Sequence, residues 1–140
     1  MVARSKSTLA VGLDVTEHMD DIGWQHGRRR QSRAVRGFIQ KTKPGGSESV
    51  NCGLSGVDNN DIHIVLAGAK QAAECSSITA EMIPHLRPTS WNRTALNKIQ
   101  RPVRIRGQLF FDASHLPCSG GAPVGSNPKR LSNWEIHPVY

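Results

Sequence analysis

Six residues have the types and spacing to do chemistry together: Asp61 with His63, Asp112 with His115, and Glu135 with His137. Asp61 and His63 stand two apart, as do Glu135 and His137, and in an extended chain residues i and i+2 share a face. If strand pairing gathers all six, three imidazoles and three carboxylates surround one point. Imidazole nitrogen and carboxylate oxygen suit zinc, manganese or iron. A metal with an open position can activate water for phosphodiester hydrolysis. Without a metal, one histidine would serve as general base, oriented by a carboxylate. The competing reading is structural, because such pairs also tie strand ends and loops by hydrogen bonds. The spacing is not that of a helical HExxH site, and no residue is assigned a catalytic role.

These residues need strands to position them. Along the stretch 101–115, Val103, Ile105, Gly107, Leu109 and Phe111 alternate with Arg104, Arg106, Gln108 and Phe110. That is the period of a strand with one buried face. Similar alternation predicts strands at 34–43, at 48–52 continuing into 61–67, at 77–83, at 102–112 and at 133–139. Gly37, inside the first, predicts a bend or bulge. After the third strand the period changes. Trp91, Ala95, Leu96 and Ile99 recur at helical spacing, Thr89 or Ser90 can cap the helix, and Pro102 ends it. Residues 115–130 carry the turn residues of a long loop.

Five strands with a helix between the third and fourth is the order of an OB-fold, the partly open Greek-key barrel. The expected fold class is therefore all-β with one short helix, an OB-fold-like five-stranded Greek-key β-barrel over residues 34–140. Residues 1–33 read as a basic, weakly structured arm with one short strand near Leu9–Val15 and an arginine run at Arg28–Arg30. A chain of 140 residues makes one such domain.

The net charge is +7 and the sequence pI about 9.9, a balance that favours polyanions. Arg36, Lys41, Arg104 and Arg106, with Phe38 and Phe110 interleaved, form the stacking-plus-phosphate pattern of single-strand-binding grooves. The leading expectation is thus a binding module for single-stranded nucleic acid, with no cofactor. The alternatives are a metal-dependent hydrolase, with zinc the natural ion, using His63, His115, His137, Asp61, Asp112 and Glu135, and a domain that binds a protein through an exposed sheet edge. No run approaches a membrane span. The apolar patch Leu9–Leu13 is too short for a secretion signal, so a cytoplasmic location is expected. Cys52, Cys75 and Cys118 are odd in number with no close pair, which argues against a disulfide framework. The absence of CxxC argues against a zinc ribbon.

The segments DIHIVL, AEMIPH, VRIRGQLFFDASH and WEIHPV together resemble a family of uncharacterised bacterial OB-fold-like proteins with DxH, GxLxxDxxH and C-terminal WEIHP motifs. The resemblance spans about residues 34–139. It implies an OB-like barrel and, at matching positions, Asp61, His63, Glu81, Asp112, His115, Trp134, Glu135 and His137. It implies no settled activity.

Overall fold

The apolar alternation resolves into seven strands and one short helix: β1 (Lys6–Leu9), β2 (Leu13–Glu17), β3 (Ser32–Pro44), β4 (Ile62–Ala67), β5 (Ile78–Met82), α1 (Arg93–Asn97), β6 (Val103–Phe111) and β7 (Trp134–Val139). The structure is a computed structural model that describes residues 6–9, 13–17, 32–46, 53–54, 56–120, 122, 124–125 and 128–140. The strand expected at 48–52, Trp24 and the run Arg28–Arg30 lie outside the described residues.

The sheet runs β1-β2-β3-β4-β5-β7-β6, and β6 pairs back onto β3. That last pairing closes β3 to β7 into a five-stranded barrel with the helix between its third and fourth strands. β3 makes closure possible by serving two strands of the barrel, besides β2. Its first half, Ser32–Gly37, pairs with β6, and Phe38–Pro44 pairs with β4. The register shift that bends it falls between Ile39 and Lys41, three residues past the Gly37 predicted for it. In the stretch read as a weakly structured arm, β1 and β2 pair antiparallel and extend the sheet along β3.

One set of alternating side chains fills the barrel: Ile62, Ile64 and Leu66 of β4, Ile78, Ala80 and Met82 of β5, Ile105 of β6, and Ile136 and Val139 of β7. Gly107 permits the β6–β7 contact, because a Cβ there would lie 2.3 Å from the Pro138 carbonyl oxygen and 2.4 Å from Ile136 Cγ2. The β6–β7 register shifts beside it, and the His137–Pro138 peptide is cis.

The helix is shorter than its apolar spacing suggests. Asn92 caps it, its side chain accepting from the Ala95 N–H at 3.0 Å, in place of Thr89 or Ser90. Only Leu96 of α1 is buried. Trp91 lies ahead of the helix, 45% exposed, and is not the packing residue its spacing implied.

Cys75 and Cys118 form a disulfide across 43 residues, correcting the expectation from cysteine count. Cys75 sits in the 3₁₀ turn before β5 and Cys118 in the loop between β6 and β7. Only the path of that loop makes them neighbours.

Candidate functional site

β4 and β5 are buried along their whole length. One face of each packs the barrel core, so the other must be covered from outside. That outward face carries Asp61, just before β4, with His63 and Val65, then Thr79 and Glu81 of β5. His63 and Glu81 are cross-strand register partners, as are Val65 and Thr79. On β7, Glu135 and His137 alternate with the core residue Ile136. The fold thus sets five ionisable groups on one outer wall.

The loop between β6 and β7 roofs this wall. The Leu131 N–H donates to Ser77 O at 2.7 Å and the Ser77 hydroxyl to Lys129 O at 3.2 Å. The disulfide fastens the same loop beside Glu74. From the β3–β4 turn, Gly45 closes another side, its N–H donating to Asp61 O at 2.7 Å. A Cβ on Gly45 would stand 3.3 Å from His63 Nε2.

Glu81 bridges two imidazoles, with Oε1 3.2 Å from His63 Nε2 and Oε2 3.2 Å from His137 Nδ1. Glu135 Oε1 lies 3.6 Å from the same Nδ1, and Asp61 Oδ2 lies 3.9 Å from His137 Nε2. The other Glu135 oxygen accepts from Arg130 Nη1 at 3.0 Å, and that nitrogen also donates to Asp112 Oδ2 at 3.0 Å. Asp112 is 2.6 Å from His115 Nδ1 and accepts from the Ser114 N–H at 2.9 Å.

Burial lowers the His63 pKa to about 4, the Glu135 charge opposing and Arg130 assisting, so this imidazole is neutral at physiological pH. His137 is pushed the other way. Hydrogen bonding to Glu135 raises it above its ordinary value, burial opposes, and the charges of Glu81 and Asp61 add to the rise. Burial pushes Asp112 up, but hydrogen bonds from Ser114 and His115 outweigh it and hold the carboxyl below its ordinary range.

The six residues expected at one point therefore divide. Asp61, His63, Glu135 and His137 come together, and Glu81 joins them. Asp112 and His115 form a second pair beyond β6, with Arg130 inserted between the two groups. Arg130 is fully buried and escaped sequence reading, because it sits in a stretch with no apolar period. The available signal was indirect: outward-facing acids on a buried wall require a counter-charge.

Donor atoms of Asp61, Glu81 and His137 lie within 4.8 Å of one another. Ligands sit about 2.0–2.2 Å from a zinc ion, so small side-chain adjustments suffice to bring all three onto one ion. His63 offers a neutral nitrogen beside them. Four carboxylates, those of Asp61, Glu81, Asp112 and Glu135, are buried; Arg130 contacts Asp112 and Glu135, while Asp61 and Glu81 face His137. Among the described residues, His137, with its raised pKa, is the group that meets the charge of Asp61, Glu81 and Glu135.

The basic candidates scatter. Arg36 and Arg104 are register partners across β3 and β6, both exposed. Arg106 and Phe38 are half-buried. Lys41 is bound to Glu74 at 2.5 Å. Phe110 is exposed, but its ring meets His137 at 5.5 Å between centroids. It lies six residues along the strand from Arg104, about 20 Å in an extended chain.

No family model matches the chain, and neither the curated proteins nor the solved structures contain a match.

Proposed function

We propose that this barrel is a divalent-metal-binding domain whose ion is held by Asp61, Glu81 and His137, with His63 and Glu135 within reach. The observation that carries this reading is the convergence of those three donor sets, within 4.8 Å, at a largely buried spot. A divalent ion would take the place of the His137 proton as the counter-charge to these carboxylates. In an OB-fold the ligand face is the outer side of the second and third strands with their flanking loops. Here that face is acidic, which favours a cation over a phosphate. The mixed nitrogen and oxygen donors suit zinc, manganese or iron. With an open position such an ion would lower the pKa of bound water and support hydrolysis.

The test is metal analysis of untagged protein, followed by calorimetric titration of chelator-stripped protein with zinc and with manganese. One ion per chain in the wild type, lost in Glu81→Gln and His137→Ala, is the expected result. Failure to bind either ion would remove this reading.

A second reading keeps the polyanion expectation in a narrower form. Arg36 and Arg104 lie directly opposite each other and exposed, and like charges so placed repel; Asp14 of β2 is the register partner of Arg36 on its other side. A bound phosphate would relieve that repulsion. Anisotropy of a labelled single-stranded oligonucleotide across a salt series tests it. Arg36→Ala with Arg104→Ala should weaken binding and flatten the salt dependence.

The disulfide also bears on location. Such bonds persist in oxidising compartments and are rare in the cytosol. This supports a protein that works outside the reducing cytosol, in place of the cytoplasmic location expected from sequence. Among the described residues, no helix is long and apolar enough to cross a membrane.

A further inference from the structure

The β6–β7 register sets one more side chain beside the acidic wall. Phe110 is the register partner of Glu135, and Glu135 shares its face of β7 with His137, on the other side from the core residue Ile136. Phe110 therefore stands on the outer face of the sheet with the metal donors, away from the barrel interior. Its ring meets the His137 imidazole edge-on, 5.5 Å between centroids with the planes at 74°. Whichever ring offers its edge, such a contact leaves a face of the phenyl ring uncovered by His137, and Phe110 is 48% exposed. Phe111, its neighbour in the chain, turns to the opposite face and meets Trp134 at 5.1 Å.

Access to the candidate ion comes from the same direction. Of the three donor side chains, His137 is 19% exposed, Glu81 7% and Asp61 fully buried. An ion held by them would have its open position on the side of His137, where Phe110 stands. A ligand entering that position brings the group next to its oxygen donor against the phenyl ring. We propose, resting on the metal reading above, that the site takes small aromatic carbonyl or carboxylate compounds, an oxygen on the ion and the ring on Phe110. Paired aromatic rings gain affinity beyond the area they bury, so Phe110 sets the preference for a ring over an aliphatic group of similar reach. The carboxylates of Asp61, Glu81 and Glu135 stand around the same imidazole. Their charge disfavours a multiply charged head such as a phosphate monoester, which leaves neutral or singly charged oxygen donors.

The test is calorimetric titration of the zinc-loaded full chain with benzohydroxamate and with acetohydroxamate, chelators that differ by a phenyl ring against a methyl group. The wild type should favour benzohydroxamate. Phe110→Leu keeps apolar bulk without the ring, and should lower the ratio of the two affinities about tenfold with zinc stoichiometry unchanged. Phe111→Leu, at the exposed neighbour on the opposite face, should leave the ratio at its wild-type value. A ratio that survives Phe110→Leu, a ratio that falls equally in Phe111→Leu, or zinc-loaded protein that binds neither hydroxamate would overturn the proposal while the metal reading stands. Failure of the wild type to bind zinc would remove both.

Discussion

His63 and Glu81 face each other across β4 and β5, with Nε2 3.2 Å from Oε1. The second Glu81 oxygen is turned to His137, so one carboxylate organises both imidazoles. Glu81→Gln keeps the shape and removes the charge. In chelator-stripped protein it should lower the melting temperature modestly, because it removes a charge that helps to hold His137 protonated. Zinc should then stabilise the wild type, by about 2.7 kcal/mol at a hundredfold excess over Kd, and leave the variant unmoved. Thermal melts with and without zinc measure both effects.

Arg130 is the only fixed cation among the buried residues described, and its Nη1 serves both Asp112 and Glu135. Arg130→Met fills a similar space but leaves two buried carboxylates without their counter-charge. Breaking a buried pair in this way costs about 3–5 kcal/mol. Urea unfolding should report a loss of that size.

Glu74 governs an acid-sensitive contact away from the candidate metal site. Burial pushes its carboxyl up, but hydrogen bonds from Lys41 and Lys43, and from the Lys129 N–H, outweigh it and hold the pKa below the ordinary 4.5. A group depressed by folding adds stability above its unfolded pKa, and that stability fades as pH falls through the folded value. Glu74→Gln should therefore cost about 1 kcal/mol at neutral pH, the partial exposure of Lys41 limiting its share. The difference from wild type should shrink below pH 4.5. Denaturation midpoints from pH 7 to pH 3 would show whether the two curves converge.

Gly107 has no room for a side chain. A methyl group there would meet the Pro138 carbonyl oxygen and Ile136, and neither backbone nor core residue can yield cheaply. Gly107→Ala should destabilise by about 1–3 kcal/mol, read from the same urea titration. A wild-type midpoint would mean that β6 and β7 part enough to admit the methyl group.

The Cys75–Cys118 bond closes a loop of 43 residues in sequence separation. Replacing both cysteines with alanine should cost about 2–4 kcal/mol. Because the bond holds the roof over the acidic wall, limited proteolysis should first cut within residues 119–128 of the variant. Cleavage of the variant at the wild-type rate would show that Arg130 and Leu131 hold the roof unaided.

Much of the barrel was legible because each strand must show one apolar face to a common core, and that demand leaves a period of two. Ile62, Ile64 and Leu66 announced β4, and the dipeptide Arg101-Pro102 marked the start of β6. The pairs Asp61/His63 and Glu135/His137 followed from the same alternation. What the alternation could not reveal was that their face is buried as well, since that depends on where a loop without a period travels. Arg130, the disulfide and the separation of Asp112 and His115 from the other four all follow from that path. The helix was overestimated for a related reason. Trp91 has helical spacing with Ala95, but Asn92 makes the better cap and excludes it.

Because β4 and β5 are covered on both sides, their amides should be the last to exchange with deuterated solvent. Opening them requires the roof to lift and the core to part together, which is close to global unfolding. Asp61, His63 and Glu81 are therefore mounted on or beside the slowest-breathing part of the molecule. Donor atoms held there keep their separations through the local openings that loosen loops and sheet edges.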